Sequence, residues 1–434
     1  MGFRLGPGFL ENVYGTFLPL TTNLKPLSLL LAPLKKGTLK MGRKVDSNKG
    51  LKISRRAQNL HEYSFSELQE KKKRLLLSGK RIIDLGAGDP DLTPDPQLLA
   101  SLRDEIEKKE SHRHPAYEGL PELRRKIAEW YEGRFGVGLD PEEEVLITSG
   151  SKEGLSLSPL AFLEPGEEVL IPELAYPVYE AATLIAGGVP VNVPSREGDY
   201  LLDLSKLKVS EKTRLLYMNY PHNPTGAVAG LDFFSEVVEF ARRNQLIILS
   251  DMAYSEITYD GYVAPSIMQV PEAKEQTLEF FSFSKTFSAS GWRLGFVCGN
   301  KRLLRALKTI KDRISSGVFT PIQWAGVKAL DLYPTPAKEA VRVYERRRDL
   351  LVSALKEAGW QLNVPLGTIF VWAKNPWGAS GGEISEVLLE RFSILTTPGE
   401  NFGEKSKEYV RFSLTASEKD IREAVERIKQ FKYR

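Results

Sequence analysis

A lysine set beside two serines and followed eight positions later by an arginine is the grouping in this chain best suited to covalent chemistry: Ser282-Phe283-Ser284-Lys285, then Gly291-Trp292-Arg293-Leu294-Gly295. The apolar run 278–283 reads as a buried strand, so the lysine is delivered at a strand end, in a polar pocket rather than on a solvated face. With its pKa lowered by burial and neighbouring cations, such a lysine can form a Schiff base with a carbonyl. Ser282, Ser284 and Arg293 together suit a phosphate dianion. Pyridoxal phosphate needs both functions at once. An ordinary strand-to-loop junction with a solvated lysine carries the same short string.

Other strand ends supply what such a lysine would need. Gly150-Ser151-Lys152 opens a helix, whose first backbone N–H groups and dipole favour phosphate; any strand-to-helix turn can also hold Gly and Ser. In Asn219-Tyr220-Pro221-His222-Asn223-Pro224-Thr225-Gly226 two prolines stiffen the chain after a strand. Asn223 is left either to present its amide or to serve its own turn. Asp251-Met252-Ala253-Tyr254 ends a further strand. A carboxylate buried there needs a partner, which a pyridinium nitrogen would be, unless it is simply an N-cap.

These groups must be positioned by a regular alternation of elements. Strands are predicted over 144–148, 168–171, 189–193, 213–218, 246–250 and 278–283. Helices are predicted over 120–134, 176–186, 232–244 and 301–312, and a helix opening at Gly150 is expected to run to about 162. Repeated βα units imply a mostly parallel sheet covered on both faces, with ligands at the carboxyl ends of its strands. A long helix is expected over 337–359 with Arg346-Arg347-Arg348 on its wet side, and the run 71–74 reads as the solvated face of an earlier helix. The remainder, through Phe370-Val371-Trp372 and 410–414, reads as an α+β unit. The expected division is a basic extension over 1–50, an arm and part of a small domain over 51–95, a large domain over 96–335 and a small domain over 336–434.

Length and composition bound the rest. The 434 residues allow one large and one smaller domain, and 27% charged with 42% hydrophobic residues is ordinary for a soluble globular chain. The 60 basic and 56 acidic residues give +4, too weak a field to argue for nucleic acid. The single cysteine, Cys298, rules out an intrachain disulfide, and with four histidines a metal site is not expected. A reducing cytoplasm is the default. Residues 1–50 are acid-poor (Glu11 and Asp46) and basic, and their apolar piece 27–34 is too short and broken to span a bilayer, so no membrane anchor is expected. They read as an organelle transit peptide, a flexible arm, or sequence upstream of a start at Met41.

From about residue 60 to the C-terminus the motifs resemble the class I/II aminotransferases of PLP fold type I. The likeness is carried by Gly150-Ser151-Lys152, Ala175-Tyr176-Pro177, Asn223-Pro224-Thr225-Gly226, Asp251-Met252-Ala253-Tyr254, Ser282-Phe283-Ser284-Lys285, Gly291-Trp292-Arg293-Leu294-Gly295 and Val410-Arg411-Phe412. Within that family the nearest resemblance is to the LL-diaminopimelate aminotransferases, through Tyr176-Pro177-Val178-Tyr179, Ala253-Tyr254-Ser255-Glu256-Ile257 and Ser316-Gly317-Val318-Phe319. The resemblance implies an α/β fold, a mostly parallel sheet between helices plus a smaller α+β domain, and a homodimer with shared active sites.

It also implies roles. Lys285 carries the cofactor and shuttles the proton between the substrate Cα and the cofactor C4′. Asp251 partners the pyridine nitrogen, while Asn223 and Tyr254 bond the ring oxygen. Tyr176 stacks on the ring. Ser151, Lys152, Ser282, Ser284 and Arg293 cup the phosphate, and Arg411 takes the substrate carboxylate with Gly88 and Asn223 nearby. Where the family usually has a tyrosine that reaches the neighbouring subunit's phosphate, this chain has His114, which also reads as a surface histidine. Glu118 matches the place that addresses a distal ammonium across the dimer, or is an exposed helix-start acid. The implied reaction joins an amino acid and a 2-oxo acid, LL-2,6-diaminopimelate with 2-oxoglutarate, in lysine biosynthesis. Aspartate, alanine or aromatic transamination, β-elimination, and cofactor binding without turnover are the alternatives.

Overall fold

A computed structural model describes residues 53–60, 66–207 and 209–431. By its internal contacts the chain divides into two units, Met1–Ile53 and Ser54–Arg434, and the second is described here. The extension expected over 1–50 lies outside the described residues.

The central sheet has seven strands: β2 (Val145–Thr148), β3 (Glu168–Pro172), β4 (Val189–Val193), β5 (Thr213–Asn219), β6 (Ile247–Asp251), β7 (Thr277–Ser282) and β8 (Gly295–Gly299); the earlier β1 (Ile83–Asp84) belongs elsewhere. Their order is β2-β8-β7-β6-β5-β3-β4. The pairings from β4 through β3, β5 and β6 to β7 are parallel, and β8 runs antiparallel to both β7 and β2. The sequence reading did not include β8. Its Phe296-Val297-Cys298 core sits between glycines and is short, and the chain between β7 and β8 contains no long crossover helix, so the next strand runs back beside the first.

Side-chain alternation along β5 divides two cores. Leu216 and Met218 join Phe281, Phe296 and the buried face of α7 (Leu231–Arg243), whereas Leu215 and Tyr217 join Leu249, Phe280 and Val297 on the other side. Period-two alternation on a sheet covered on both faces favours apolar residues at successive positions, as in Leu215-Leu216-Tyr217-Met218 of β5 and Ile247-Ile248-Leu249 of β6; Glu279 interrupts the pattern in β7. On one side of the sheet α4 (Pro121–Phe135) also packs; on the other lie α5 (Ser151–Phe162) and α9 (Lys301–Ile314). Helices α3 (Pro96–Ile106), α6 (Val178–Ala186), the single turn α8 (Phe283–Thr286) and α10 (Thr320–Leu332) complete this part, after α1 (Arg55–Asn59) and α2 (Ser66–Leu77).

A third core joins β1 to the C-terminal part. β1 pairs in parallel with β10 (Ile394–Leu395), and β9 (Phe370–Lys374), β11 (Thr397–Pro398) and β12 (Tyr409–Ser413) form an antiparallel sheet in the order β11-β12-β9. Over these lie α11 (Thr335–Glu357), α12 (Gly381–Phe392) and α13 (Glu418–Lys429). Two surface readings are corrected here. Arg347 and Arg348 on α11 are buried, because helical spacing places them with Tyr344 and Leu351. Arg347 forks onto Asp91 at 2.7 and 2.9 Å, and Arg348 forks onto Asp260 at the same two distances. In the 71–74 run, Lys71 is ion-paired to Glu386 and Glu390 of α12, and Lys72 to Asp84 of β1 at 2.6 Å.

One buried acid in the large core stands apart from the rest. Glu279, on β7, is fully buried and accepts from Tyr131 Oη, from Ser266 Oγ at 2.7 Å and from Ser250 Oγ and Ile267 N at 3.2 Å. Burial pushes its pKa up to about 7 despite these donors. A carboxyl with a raised folded pKa stabilises the fold fully below its unfolded value near 4.5, and that contribution is lost as pH rises through 7. Glu279→Gln is therefore expected to flatten the fall in stability between pH 5 and 8 by roughly 3 kcal/mol or less. Urea midpoints at the two pH values check this; an unchanged pH slope in the variant refutes it.

Candidate active site

Three neighbouring strands end together. β5 closes on Asn219, β6 on Asp251 and β7 on Ser282, with Asn219 opposite Asp251 in the sheet register. Asn219 ties the two ends: its Nδ2 donates to Asp251 O at 2.8 Å and its Oδ1 accepts from Asn223 N at 2.8 Å, which fixes the Pro-containing turn that follows. The strand ends open into a cavity of about 490 Å3, at the edge where parallel sheets hold ligands.

One wall of the cavity is built for an anion. α5 starts at Ser151 behind Gly150, and no side chain caps its first turn, so the Ser151 and Lys152 end of the helix keeps its N–H groups for a ligand. Gly150 has φ 73, and a Cβ there would lie 2.6 Å from Arg293 Nη2; only glycine lets the guanidinium lie against this turn. Arg293 is held by Nη1 donating to Ser290 O at 2.9 Å. Ser282 Oγ caps α8 by accepting from Ser284 N at 3.2 Å, while the Ser284 Oγ is buried with no hydrogen-bond partner among the described residues. A buried hydroxyl beside a guanidinium and a helix start is a donor set lacking an acceptor.

The floor holds a carboxylate. Asp251 is buried, and burial raises its pKa to about 6; Tyr179 Oη at 2.7 Å and Ala253 N at 3.1 Å act to keep it ionised. Tyr176 lines the same cavity, and Tyr254, which burial keeps protonated, stands edge-on to Phe370 at 5.9 Å. His222, buried behind the turn, bonds Leu174 O at 2.9 Å and Thr225 Oγ1 at 2.8 Å, and burial lowers its pKa to about 4, so it stays neutral and acts as a pin.

The far wall is a buried cation. Arg411 on β12 donates Nη1 to Asn223 Oδ1 at 3.0 Å and Nη2 to Gly86 O at 3.1 Å, stacks 3.9 Å from the Phe370 ring centroid, and has a buried Nε without a partner. Burial lowers its pKa to about 10, and among the described residues it makes no ion pair. Because Asn223 Oδ1 is engaged by Arg411, its amide nitrogen is the group left to a ligand. The loop after β1 is strapped over this wall. Leu85 O accepts from Ser413 N, Gly86 O from Thr397 Oγ1, Ala87 O from Thr415 Oγ1, and Gly88 O from Lys285 Nζ. Asp91 is clamped by Arg347, which also donates to Leu414 O at 2.9 Å.

Twelve of the fourteen residues singled out from the sequence line this one cavity: Ser151, Lys152, Ser282, Ser284 and Arg293 of the anion wall, Tyr176, Asp251 and Tyr254 of the floor, and Gly88, Asn223, Lys285 and Arg411. His114 and Glu118 do not. His114 is exposed, and Glu118 lies 3.7 Å from Lys308 in a separate groove. Sequence reasoning missed Asn219 and Tyr179. The signals were there: Asn219 directly follows the strand predicted over 213–218 and opens the proline turn, and Tyr179 lies three residues after Tyr176 in the helix predicted over 176–186.

A family model described as aminotransferase class I and II matches residues 80–428. This chain belongs to that family. It is 42% identical over 380 residues to an LL-diaminopimelate aminotransferase of Moorella thermoacetica, covering 87% of this chain and 97% of that protein. A protein of the same name from Syntrophobacter fumaroxidans is 41% identical, over 86% and 97% respectively. Among solved structures, apo-BacF of Bacillus subtilis superposes with a TM-score of 0.84 at 34% identity, covering 88% of this chain and 98% of that one.

The aminotransferase is an enzyme acting between amino acids and 2-oxo acids, with pyridoxal 5′-phosphate as its cofactor. The cavity fits that group: an anion wall with a Ser284 hydroxyl that has no partner among the described residues, a buried carboxylate on the floor, and the half-buried Lys285 amine lining the same space. Burial lowers Lys285 to about 8, against the pull of the Asp89 carboxylate and with the aid of Arg411 and Arg293. In cofactor-free aminotransferase, Lys285 is expected to react with trinitrobenzenesulfonate with a midpoint near pH 8, and at lower pH still in Asp89→Asn. Peptide mapping of the modified lysine measures this, and a midpoint near 10.5, the ordinary lysine value, refutes it.

Proposed function

We propose that the chain transfers the amino group of LL-2,6-diaminopimelate to 2-oxoglutarate, giving glutamate and the 6-oxo acid that cyclises to tetrahydrodipicolinate, within lysine biosynthesis. The carrying observation is the 42% identity that spans 97% of the Moorella thermoacetica protein of that name.

Each group in the cavity has a part in this reading. Pyridoxal phosphate supplies an aldehyde that condenses with amines and a protonated ring that draws electrons from the reacting carbon. Ser151 and Lys152 N–H, Ser282, Ser284 and Arg293 hold its phosphate, and Tyr176 packs against its ring. Asp251 accepts from the ring nitrogen, and Asn223 and Tyr254 donate to the ring oxygen. Lys285 Nζ would carry the proton between the substrate Cα and the cofactor C4′; a pKa of about 8 leaves it able both to take and to give a proton near neutral pH. Arg411 takes the α-carboxylate on its fork, helped by the Gly88 N–H, and because every amino acid carries that group it contributes binding without selectivity. Residues 96–335 form the cofactor-holding domain in this reading, and 51–95 with 336–434 the smaller one.

A homodimer belongs to the same proposal, with His114 and Glu118 of the partner subunit completing the cavity, the first toward phosphate and the second toward the distal ammonium. In support, His114 is exposed, Glu118 is half-buried, and neither lines the cavity of its own subunit. A cytoplasmic location fits the single cysteine, and fractionation of the full chain checks it.

Two measurements test these statements. In a donor panel with 2-oxoglutarate, LL-diaminopimelate is expected to exceed aspartate, alanine and tyrosine in kcat/KM by about a hundredfold, the scale of discrimination polar contacts to a distal group can supply. A better donor elsewhere in the panel removes the substrate assignment, and release of free ammonia marks a lyase instead. Mixing inactive Lys285→Ala with weakened Glu118→Ala protein should restore activity toward LL-diaminopimelate through hybrid dimers with one intact site; no restoration on subunit exchange counts against a shared site.

A further inference from the structure

Behind the cavity floor, Tyr179 does not itself line the cavity, and its Oη donates to Asp251 Oδ2 at 2.7 Å. The other donor recorded to this carboxylate is Ala253 N, at Oδ1. A carboxylate offers about four lone-pair positions, so two are taken from within the protein and the others are open to the cavity that Asp251 lines. We propose that Tyr179 is a positioning residue for the cofactor's ring nitrogen: its phenol fixes Asp251 as an oriented, ionised carboxylate, and so gives the cavity its preference for a ring that carries an N–H. The inference rests on Asp251 facing that nitrogen, as proposed above.

The phenol is well placed for this and for little else. Tyr179 is fully buried, and burial pushes its pKa well above 10, so it acts as a donor and never as a competing anion. Its ring stacks on Tyr217 at 4.6 Å and 10°, and the Tyr217 Oη is tied to Leu155 O of α5 at 2.7 Å. Its other side meets Tyr176 edge-on at 5.9 Å. The helix whose first turn faces the anion wall, the strand that ends at Asn219 and the segment carrying Tyr176 just before α6 thus hold one hydroxyl against one carboxylate oxygen. A tyrosine hydroxyl buried without a partner is costly, so the phenol has no inexpensive alternative to this bond.

A purely packing role predicts a different outcome from a role through Asp251, and binding to cofactor-free protein separates them. The probes are pyridoxal phosphate and its 1-deaza analogue, in which the ring nitrogen is replaced by C–H; affinities are read by fluorescence quenching. Wild type should prefer pyridoxal phosphate. Tyr179→Phe keeps both ring contacts and removes the hydroxyl. It should weaken pyridoxal phosphate by about tenfold, the worth of one hydrogen bond to a charged group, and leave the analogue unchanged. Tyr217→Phe, which keeps the Tyr179 hydroxyl, should retain the preference. Equal weakening of both ligands in Tyr179→Phe, or no weakening of either, overturns the proposal. Absence of any preference in wild type overturns it through Asp251 itself, a failure visible before any variant is made. If Tyr179→Phe does not fold, 3,5-difluorotyrosine at 179, a stronger donor of nearly the same shape, should change the preference severalfold; an unchanged preference is then the refuting result.

Discussion

The structure around the cavity is governed by the cost of burying charge without a salt bridge. Asp251, Lys285 and Arg411 all line one cavity, and among the described residues none of them makes an ion pair. Neutral groups carry each instead. Tyr179 and Ala253 N bond the carboxylate, the Gly88 carbonyl accepts from the amine, and Asn223, Gly86 O and two aromatic faces hold the guanidinium. Direct pairing between opposite charges would satisfy them at the expense of the ligand, since a buried pair resists being opened. Neutral partners leave the charges poised for a molecule that brings the complementary set, a phosphate, a ring N–H and a carboxylate.

Holding these groups apart yet converging is the work of sheet register and of two tethers. The Asn219 side chain locks β5 to β6 just where both end, so that Asp251 and Asn223 keep a fixed separation. Arg347, deep in the C-terminal core, clamps Asp91 and Leu414 O together and so ties the strap carrying Gly88 to the chain just beyond Arg411. A bidentate fork fixes direction as well as distance. The carboxylate floor is thereby set by the central sheet, while the carboxylate-binding wall is set by the smaller sheet, and the strap is the piece that belongs to both.

Most elements were legible because their periodicities are strong. The predicted β4 over 189–193 coincides with the observed strand, and the predicted helices differ from the observed ones by a few residues at their ends. The cavity was legible too, since glycines, prolines and polar residues at strand ends obey local rules. What escaped depends on contacts between distant segments. Nothing local distinguishes Arg347 and Arg348 from Arg346, yet helical rotation buries the first two and supplies Asp91 and Asp260 as partners. Tyr179 reads as one more aromatic on an apolar helix until β6 brings Asp251 beneath it. β8 is short, and its direction follows from the path of the loop before it rather than from its own residues.

Phe370 shows why the carboxylate wall tolerates so little change. Its ring lies 3.9 Å from the Arg411 guanidinium, stands edge-on to Tyr254, and would come within 2.9 Å of a Cβ at Gly88. One aromatic ring therefore spaces the guanidinium, the phenol and the strap. A smaller side chain at 370 would remove the face on which Arg411 rests and open the gap beneath the strap; any side chain at 88 would push the strap outward and carry the Gly88 carbonyl away from Lys285. Selectivity for the substrate's far end cannot be built on such a tightly coupled wall without disturbing carboxylate binding. The wall that remains open to variation lies around Asp89, Ser290 and Gly291 at the mouth, where Ser290 Oγ bonds Asp89 and the chain has no buried charge to protect.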